Sequence, residues 1–451
     1  MHIGNARAAL FNWLYARHCG GRFLLRIEDT DRERYSEGAV QVIFDSLAWL
    51  GLKTDGEPVF QFARAPIHRE IVNELLEAGH AFRCYMTPQE ADAAKIAARA
   101  EGHALRSPWR DRAPDAASAD RPHVVRFKVP DGETVIEDIV RGTVRFANKD
   151  LDDLVLLRTD GTPIYNLAVA VDDHDMGVTH VIRGEEHLSN AARQALIYNA
   201  MGWPLPVFAH LPLIVGADGA KLSKRHGAQA LGDIADAGYL PEALRNYLAR
   251  LGWGHGDDEI FSDAQAVEWF DLKDVVRAPA KLDLVKLAHI NNHYIRAADN
   301  GRLADLVLER LRNAGASLPQ DAQDRLLRVL PSVKDGAKTL VDLASLSEFA
   351  LKTRPLSLDD AVLAHLSDET RARLARLAVT LKGAQDWTAE ALAALLREFA
   401  AGEGVGLGKI GPGLRGILSG GSPAPDLAGT LVALGRAESL GRVEDALSQT
   451  R

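Results

Sequence analysis

The alternation of helix and strand patterns over residues 1–80 constrains the fold of this chain more than any other feature. Residues 5–18 repeat apolar side chains at helical spacing, and Gly20–Gly21 supply the positive φ that commonly ends a helix. The apolar run Arg22–Glu28 has the length of a strand, and two further helices are predicted, one capped by Ser36 and one at 66–78. Helices and strands joined by short polar segments are typical of a parallel sheet covered by helices.

The remaining sequence divides into an insertion, a second α/β segment and a helical half. Residues 87–122 are rich in Ala, Arg, Asp and Pro with little periodicity, which indicates an inserted subdomain. Short β-rich runs follow it, at 123–129, 143–146 and 154–158. The α/β pattern then resumes, with a strand at 178–183, a helix at 189–201 and a strand at 207–215. After Pro241 almost all of the sequence is predicted to be helical.

Composition and charge exclude several classes of protein. The 53 basic and 62 acidic residues give a net charge of −9, which argues against a non-specific nucleic-acid coat but permits a local basic groove. No apolar run approaches the ~20 residues that span a bilayer, and Cys19 and Cys84 alone form no disulfide framework. We therefore expect a folded protein of the reducing cytoplasm, with no membrane segment.

Two segments carry the chemistry expected of a phosphate site. His2–Asn5 lie at a predicted helix N-terminus, where unpaired N–H groups attract phosphate, Gly4 permits close approach and His2 can donate to a phosphoryl oxygen. A frayed start with a solvated histidine is the alternative interpretation. Residues 216–227 form a Gly-rich loop that carries Lys221, Ser223, Lys224 and Arg225. Three cations and a hydroxyl on one loop suit a polyphosphate, and a solvated basic loop is the alternative.

These segments and several longer strings resemble a known enzyme family. HIGN at 2–5 and KLSKR at 221–225 resemble the two signatures of class I aminoacyl-tRNA synthetases. Bacterial glutamyl-tRNA synthetases are resembled more specifically by RFLLRIEDTDRERYSEGA, VDDHDMGVTHVIRGEEHL and KLSKRHG. The resemblance continues into the helical half through LPEALRNYLARLGW, NNHYIR and WTAEALAALLREFAAGEGVGLGKIGPGLRGILSG.

The resemblance implies an α/β Rossmann-type class I synthetase catalytic domain with an α+β insertion, followed by all-α stem-contact and anticodon-binding domains. The implied boundaries are a catalytic first half at 1–80, an acceptor-stem-binding insertion at 81–171, a catalytic second half at 172–240, a stem-contact domain at 241–315 and an anticodon-binding domain at 316–451. A monomer is the family expectation.

The activity implied by the resemblance is the joining of L-glutamate to ATP as glutamyl adenylate, followed by transfer to the terminal adenosine of tRNA-Glu; tRNA-Gln stays open as a second substrate. The implied ATP-binding residues are His2, Gly4, Asn5, Lys221, Ser223, Lys224 and Arg225. Among them, His2, Lys221 and Lys224 are the implied catalytic residues. Mg²⁺ would arrive with the nucleotide phosphates rather than in a protein cage. Adenylate formation then requires positioning and charge stabilisation, without a nucleophilic side chain.

Glutamate has two carboxylates and one ammonium, so its pocket needs arginine forks and an acidic acceptor. Arg183 and Glu28 each end a predicted strand, which would bring them together at the carboxyl edge of the sheet. The resemblance matches Glu28 to the ammonium acceptor, Arg183 to a carboxylate-binding arginine and Tyr165 to a substrate-contacting tyrosine. An ion pair of Arg183 with Glu185 or Glu186 is the alternative.

Acidic and histidine side chains are densest from residue 172 to residue 187, which by itself would suggest a metal site. The resemblance instead implies that this region and its neighbours line the pocket and the acceptor end, through Asp31, Asp172, Glu186 and His187. Some relatives hold zinc in the insertion. Only Cys84 lies in the matching stretch here and Met86 stands at an implied ligand position, so we predict no zinc.

The start of the chain departs from the family pattern. The family precedes its first signature with a central strand that bears an arginine and a Ser-Pro-Thr-Gly turn, so we expect the coding DNA to continue in frame upstream of Met1. Two rival functions stay open at this point. A glutamyl-queuosine-type tRNA-modifying relative would lack the anticodon-binding half, and a non-catalytic tRNA-binding paralogue would have no need of His2, Lys221 and Lys224.

Overall fold

The computed structural model describes residues 1–32, 35–112, 121–216, 218–220 and 230–449. The strands, numbered in chain order, are β1 Arg26–Ile27, β2 Val59–Phe60, β3 Ala81–Cys84, β4 Val124–Phe127, β5 Glu133–Asp138, β6 Gly142–Ala147, β7 Val155–Leu157, β8 His180–Gly184, β9 Val207–Leu211, β10 Ile214–Val215 and β11 Ala280–Lys281. The first helices are α1 Ile3–His18, α2 Glu37–Trp49, α3 Ala65–Glu77, α4 Pro88–Ala100, α5 Tyr165–Asp175, α6 Leu188–Met201, α7 Leu231–Asp236, α8 Pro241–Arg250 and α9 Asp263–Trp269. The later helices are α10 Leu284–Ala297, α11 Asn300–Asn313, α12 Ala322–Val333, α13 Leu340–Leu351, α14 Asp360–Ala364, α15 Asp368–Lys382, α16 Ala389–Gly402, α17 Gly411–Ser419, α18 Leu427–Leu434 and α19 Arg436–Ser448.

The helices predicted in the first 80 residues are confirmed, because their start and stop signals act as expected. The His2 side chain caps α1, and Gly20 beyond its end has a φ of +65°. The Ser36 hydroxyl caps α2 by accepting the N–H of Ala39 at 3.2 Å, and Gly51 with a φ of +68° follows. The predicted helix at 189–201 is also confirmed, as α6.

Strands that run in parallel next to helices form the framework of the first part of the chain. The largest sheet has the order β6-β5-β9-β8, in which β8 and β9 are parallel and β5 joins β9 at a single residue pair, Asp138 and Phe208. The strands β3, β4 and β7 form an antiparallel sheet, while β1 with β2 and β10 with β11 form parallel pairs. The helix α6 packs on both larger sheets through buried side chains such as Ala195 and Leu196.

Two strand predictions were too long. The run Arg22–Glu28 forms a ladder only at Arg26–Ile27, where it pairs with β2, although its backbone accepts further hydrogen bonds from the segment 55–61. The strand predicted at 207–215 is interrupted at Pro212, which has no N–H to donate to a ladder. The residues on either side of Pro212 form β9 and β10 in different sheets.

The insertion contains more helix and strand than its sequence pattern predicts. The helix α4 lies inside the stretch that was interpreted as non-periodic, and β5 was also missed. A capping box starts α4, since the Thr87 hydroxyl accepts the Glu90 N–H at 3.2 Å and the Glu90 carboxylate accepts the Thr87 N–H at 2.7 Å. The β-rich runs at 123–129, 143–146 and 154–158 are confirmed as β4, β6 and β7.

The chain divides into two compact units that differ from the predicted boundaries. The first comprises 1–232 and 245–283, and the second comprises 233–244 and 284–451. The stretch 245–283, which the sequence interpretation assigned to a stem-contact domain, therefore packs with the first unit. The five-part division stays a prediction. The second unit is helical in its described residues, as expected, and no helix in the described part of the chain is both long and apolar enough to cross a membrane.

Candidate active site

Three predicted glutamate-binding residues converge in the first unit. Glu28 follows β1, Tyr165 is the first residue of α5 and Arg183 lies in β8. The charges of both Glu28 and Arg183 act on the Tyr165 hydroxyl. Desolvation and the neighbouring negative charge of Glu28 raise the pKa of Tyr165, so its hydroxyl stays protonated and able to donate.

Glu28 shares this site with a buried ion pair that sequence reasoning did not identify. Arg26 Nη1 lies 2.7 Å from Asp173 Oδ1, and Arg26 Nη2 lies 3.5 Å from Glu28 Oε1. The Glu28 side chain is 42% exposed, and the protein on its other side desolvates it in part. Desolvation raises the pKa of Glu28, the Asp173 charge adds to the increase, and Arg26 and Arg183 oppose it. A cationic ligand group would therefore relieve an unfavourable negative charge here.

Arg183 is held against the protein on one side of its guanidinium. Its Nε donates to His210 Nε2 at 3.2 Å, and its Nη2 donates to the His187 carbonyl at 3.4 Å. Desolvation lowers the pKa of Arg183, while Tyr165, Asp173 and Glu28 oppose that effect. Neither alternative ion pair forms among the described residues: the Glu185 carboxylate accepts the Leu213 N–H at 3.0 Å and pairs with Arg141, and the Glu186 carboxylate lies over Gly184.

The phosphate-binding residues predicted at the chain start lie in the first turn of α1. His2 Nδ1 accepts the Gly4 N–H at 3.2 Å, which leaves the proton on Nε2 as a donor, and the His2 and Asn5 side chains are exposed. His2 also forms an antiparallel bridge with Ala230, and the Leu231 N–H donates to the Met1 carbonyl at 2.9 Å. The residue that follows the basic loop by a few positions therefore lies beside the helix N-terminus. The predicted ATP-binding residues Lys221, Ser223, Lys224 and Arg225 lie outside the described residues.

Asp172 differs from its predicted place along the pocket. Its side chain has no exposed surface and accepts hydrogen bonds from Gln61 Nε2 at 2.9 Å, Arg64 Nε at 2.6 Å and His68 Nε2 at 2.8 Å. Burial opposes ionisation, but these three donors together lower the pKa of Asp172. Its position indicates a role in holding β2 and α3 against α5 rather than direct contact with a ligand.

The other predicted lining residues lie near Arg183 or on the surface. Glu186 is exposed and its carboxylate folds over Gly184, where a Cβ atom would clash with it. The rings of His187 and Tyr165 are 6.3 Å apart, and His187 Nδ1 lies 3.4 Å from Asn190 Nδ2. Asp31 is exposed on the segment that follows Glu28.

The insertion shows no zinc-type ligand set in its described part. Cys84 is buried with its Sγ 3.3 Å from Ser107 Oγ, and the Ser107 hydroxyl also lies 3.5 Å from Met86 Sδ. No group of three His, Cys, Asp or Glu side chains that could hold a metal occurs among the residues that the structure describes. The expectation of no zinc stays a prediction.

Comparison with known proteins gives the family. The model of class I tRNA synthetases (E and Q), catalytic domain, matches residues 1–289, and an anticodon binding domain matches residues 302–447. A glutamate–tRNA ligase of Phenylobacterium zucineum is 63% identical over 99% of this chain and 96% of its own length, and one of Caulobacter sp. is 62% identical over 99% and 94%. A crystal structure of a glutamate tRNA ligase from Elizabethkingia meningosepticum, in complex with its amino acid, superposes with a TM-score of 0.84 at 31% identity and covers 100% of this chain and 97% of that one. The chain therefore belongs to the glutamate–tRNA ligases, within the class I aminoacyl-tRNA synthetases.

Proposed function

We propose that this chain activates L-glutamate with ATP and transfers the glutamyl group to the 3′-terminal adenosine of tRNA-Glu. The observation that carries the proposal is the convergence of Glu28, Tyr165 and Arg183 in a chain of the glutamate–tRNA ligase family. An acid, a phenol and an arginine in one site complement a ligand that has both an ammonium and carboxylates.

Glu28 accepts the substrate ammonium in this proposal, since a cation there offsets the desolvated carboxylate. Arg183 and the Tyr165 hydroxyl donate to a substrate carboxylate. An oxygen of the α-carboxylate then attacks the α-phosphorus of ATP, a P–O bond to the departing pyrophosphate breaks, and glutamyl adenylate forms. The side chains position and neutralise charge without entering the bond changes.

The ATP phosphates bind at the first turn of α1. The His2 Nε2–H donates to a phosphoryl oxygen, Gly4 allows close approach, and the exposed Asn5 borders the nucleotide. Lys221 and Lys224, with Ser223 and Arg225, supply the remaining donors in the sequence-based prediction. Support comes from the bridge between His2 and Ala230, which places Ala230, five positions after Arg225 in the sequence, beside the helix N-terminus. ATP brings Mg²⁺ as part of the substrate.

Recognition of the tRNA adds a role for the second unit to the chemistry proposed for the first. The match to an anticodon binding domain over residues 302–447 supports tRNA recognition by the second unit. The glutamyl-queuosine-type alternative does not account for these residues. A monomeric state and a cytoplasmic location, where tRNA and ATP are present, complete the proposal, and tRNA-Gln stays open as a second substrate.

Charging assays with purified enzyme test it directly. Labelled glutamate should appear on tRNA-Glu in the presence of ATP, and a parallel reaction with tRNA-Gln measures the second substrate. By the family resemblance, pyrophosphate exchange should require tRNA, because the acceptor end completes the pocket. Strong exchange with glutamate and ATP alone, without charging, would instead support the queuosine-type function. Binding of tRNA with neither exchange nor charging would identify a non-catalytic paralogue.

A further inference from the structure

Three hydrogen-bonded side chains, the half-buried Arg183 and the buried His210 and Asp138, lead from the candidate glutamate site into the protein interior. Arg183 of β8 and His210 of β9 are directly paired across the two parallel strands, and Asp138 ends β5 on the other side of β9. The His210 and Asp138 side chains have no exposed surface, so neither can touch a ligand. His210 and Asp138 therefore act on the site only through Arg183.

Asp138 is held as a carboxylate by a ring of donors. Its Oδ1 accepts the N–H groups of Val140 at 2.9 Å and Arg141 at 2.8 Å. Its Oδ2 accepts the His210 N–H at 3.0 Å and lies 2.6 Å from His210 Nδ1. Burial opposes ionisation, but the His210 ring and these backbone donors together lower the pKa of Asp138. An ionised carboxylate can only accept, so the proton of this contact resides on His210 Nδ1.

The protonated Nδ1 determines what His210 offers to Arg183. In the neutral ring the second nitrogen, Nε2, is then a bare acceptor, and Arg183 Nε donates to it at 3.2 Å. A guanidinium has no acceptor, so the contact fails if Nε2 carries the proton. We infer that His210 and Asp138 are positioning residues for glutamate binding: Asp138 fixes the His210 tautomer, and His210 fixes the plane of the Arg183 guanidinium. Together, Arg183, His210 and Asp138 form what we call the positioning chain. This inference rests on the proposed role of Arg183.

These three side chains also connect the insertion to the binding of glutamate. Asp138 belongs to the segment 81–171, and the Ile139 N–H donates to the Phe208 carbonyl at 2.9 Å beside it. The neighbouring Arg141 reaches the same place, because its Nε donates to the His210 carbonyl at 3.3 Å and it pairs with Glu185. The β5 end is thus attached to the strand that orients Arg183, so a change in the insertion at Asp138 should alter the KM for glutamate.

The isosteric variant Asp138→Asn tests the tautomer. The backbone N–H groups of Val140 and Arg141 hold the amide oxygen at the Oδ1 position, which directs the amide NH₂ at His210 Nδ1. Nδ1 must then accept, the proton moves to Nε2, and two donors face each other across the contact with Arg183. We expect the KM for glutamate to rise about 10²-fold with the KM for ATP changed less than about threefold, since only substrate positioning is lost.

Two variants of His210 separate positioning from folding. His210→Gln retains an acceptor near the Nε2 position and should keep the KM for glutamate within about tenfold of the parent, whereas His210→Leu should raise it about 10²-fold. Asp153→Asn is the matched control, because Asp153 is a fully buried carboxylate of the same insertion whose partner is Arg110 instead of a site residue. It should leave the KM for glutamate unchanged.

Nitrogen NMR of histidine-labelled protein reads the His210 tautomer directly, independently of the KM values. The inference requires a neutral His210 with its proton on Nδ1 in the wild type and on Nε2 in Asp138→Asn, with the His210→Leu spectrum assigning the signal. An Nε2-protonated wild-type ring, or equal KM values for glutamate in His210→Leu and His210→Gln, would overturn it. If Arg183→Ala leaves glutamate binding intact, the proposed function of Arg183 is wrong; if only that variant impairs binding, the positioning chain alone is wrong.

Discussion

Two arginines that the protein desolvates, the half-buried Arg183 in the first unit and the buried Arg442 in the second, differ in the partners that surround them. The Arg442 residue is 1% exposed, and its guanidinium is surrounded by acceptors of the protein itself. Its three nitrogens donate to the Phe349 carbonyl at 2.8 Å, the Leu418 carbonyl at 2.6 Å, the Lys352 carbonyl at 2.9 Å and the Glu438 carboxylate at 2.8 Å. Arg183 has weaker contacts at 3.2 and 3.4 Å and shares its remaining surroundings with Tyr165 and two acids.

The function of a desolvated arginine is therefore indicated by its hydrogen-bond partners and not by the direction of its pKa shift. Desolvation lowers the pKa of both Arg183 and Arg442. The donors of Arg442 are occupied by backbone carbonyls at the ends of α13 and α17, so they stabilise the helical unit. The donors of Arg183 are only partly satisfied, which leaves binding capacity for a carboxylate.

The largest expected effect is on substrate binding by Arg183. Arg183→Ala should lower kcat/KM for glutamate about 10³-fold, because a charge-assisted contact with a carboxylate is lost in a desolvated site. Thermal unfolding should change by only a few degrees, since two long hydrogen bonds are removed. Arg183→Lys keeps the charge without the planar fork and should recover little of the activity. A large loss of stability with unchanged kcat/KM would contradict the comparison.

Arg442→Leu should have the opposite outcome. It leaves three buried carbonyls and Glu438 without their donor, which should lower the free energy of unfolding of the second unit by about 3–5 kcal/mol. Hydrogen exchange of the α13, α17 and α19 amides is the direct measurement. Below the unfolding transition, the KM for glutamate should equal that of the parent. A glutamate-specific defect in folded protein would show that occupied donors do not mark a structural arginine.

Arg7 sharpens the comparison, because it lies on the helix that carries the phosphate-binding turn. Its Nη1 donates to the Leu251 carbonyl at 2.9 Å and its Nη2 to the Pro212 carbonyl, and burial lowers its pKa to about 10. Because both partners of Arg7 are backbone carbonyls, we predict a structural role for it, although it lies close to the phosphate-binding turn. Arg7→Met should cost about 2–3 kcal/mol of unfolding free energy in denaturant titration. The KM values for ATP and glutamate should stay within about threefold; a selective increase in the KM for ATP at unchanged stability would favour location over partners.

Local signals in the sequence predicted the helices of the first 80 residues and the helix at 189–201. Ser36 and the glycines at 20 and 51 act through neighbouring backbone, so their effect is visible within a few residues. The capping box of Thr87 and Glu90 is an equally local signal and could have revealed α4. Arg26 could also have been found, because it lies two residues before Glu28 and alternation places both on one face of the predicted strand Arg22–Glu28.

The positioning chain could not have been predicted in the same way. Asp138 and His210 are 72 positions apart, and their contact depends on β5 joining β9 at one residue pair. No periodicity or motif near either residue indicates that pairing. The misplacement of Asp172 has a similar cause, since its donors Gln61, Arg64 and His68 come from α3 and the segment between β2 and α3, over 100 positions earlier.

The smallest expected effect concerns the cost of keeping Glu28 ionised. Its pKa is raised above the ordinary value of 4.5, so the folded state binds the proton more tightly than the unfolded state, and stability falls as pH rises through the folded pKa. Glu28→Gln removes that cost and should raise the Tm at pH 7 on the order of 1 °C, although glutamate binding is lost. The Tm difference should vanish as the pH falls below the ordinary carboxyl range.

Asp55 provides a control of opposite sign in the same unit. Its hydrogen bonds from Arg17 and the Phe23 N–H lower its pKa, so its contribution to stability is present at neutral pH and lost as the pH falls through the folded pKa. Asp55→Asn should therefore lower the Tm at pH 7 and approach the wild type in acid. Scanning calorimetry from about pH 2 to about pH 8 on both variants checks the two signs together. A Tm decrease for Glu28→Gln at pH 7 would show that Arg26 gains more from Glu28 than desolvation costs, and Glu28 would then be a structural partner like those of Arg442.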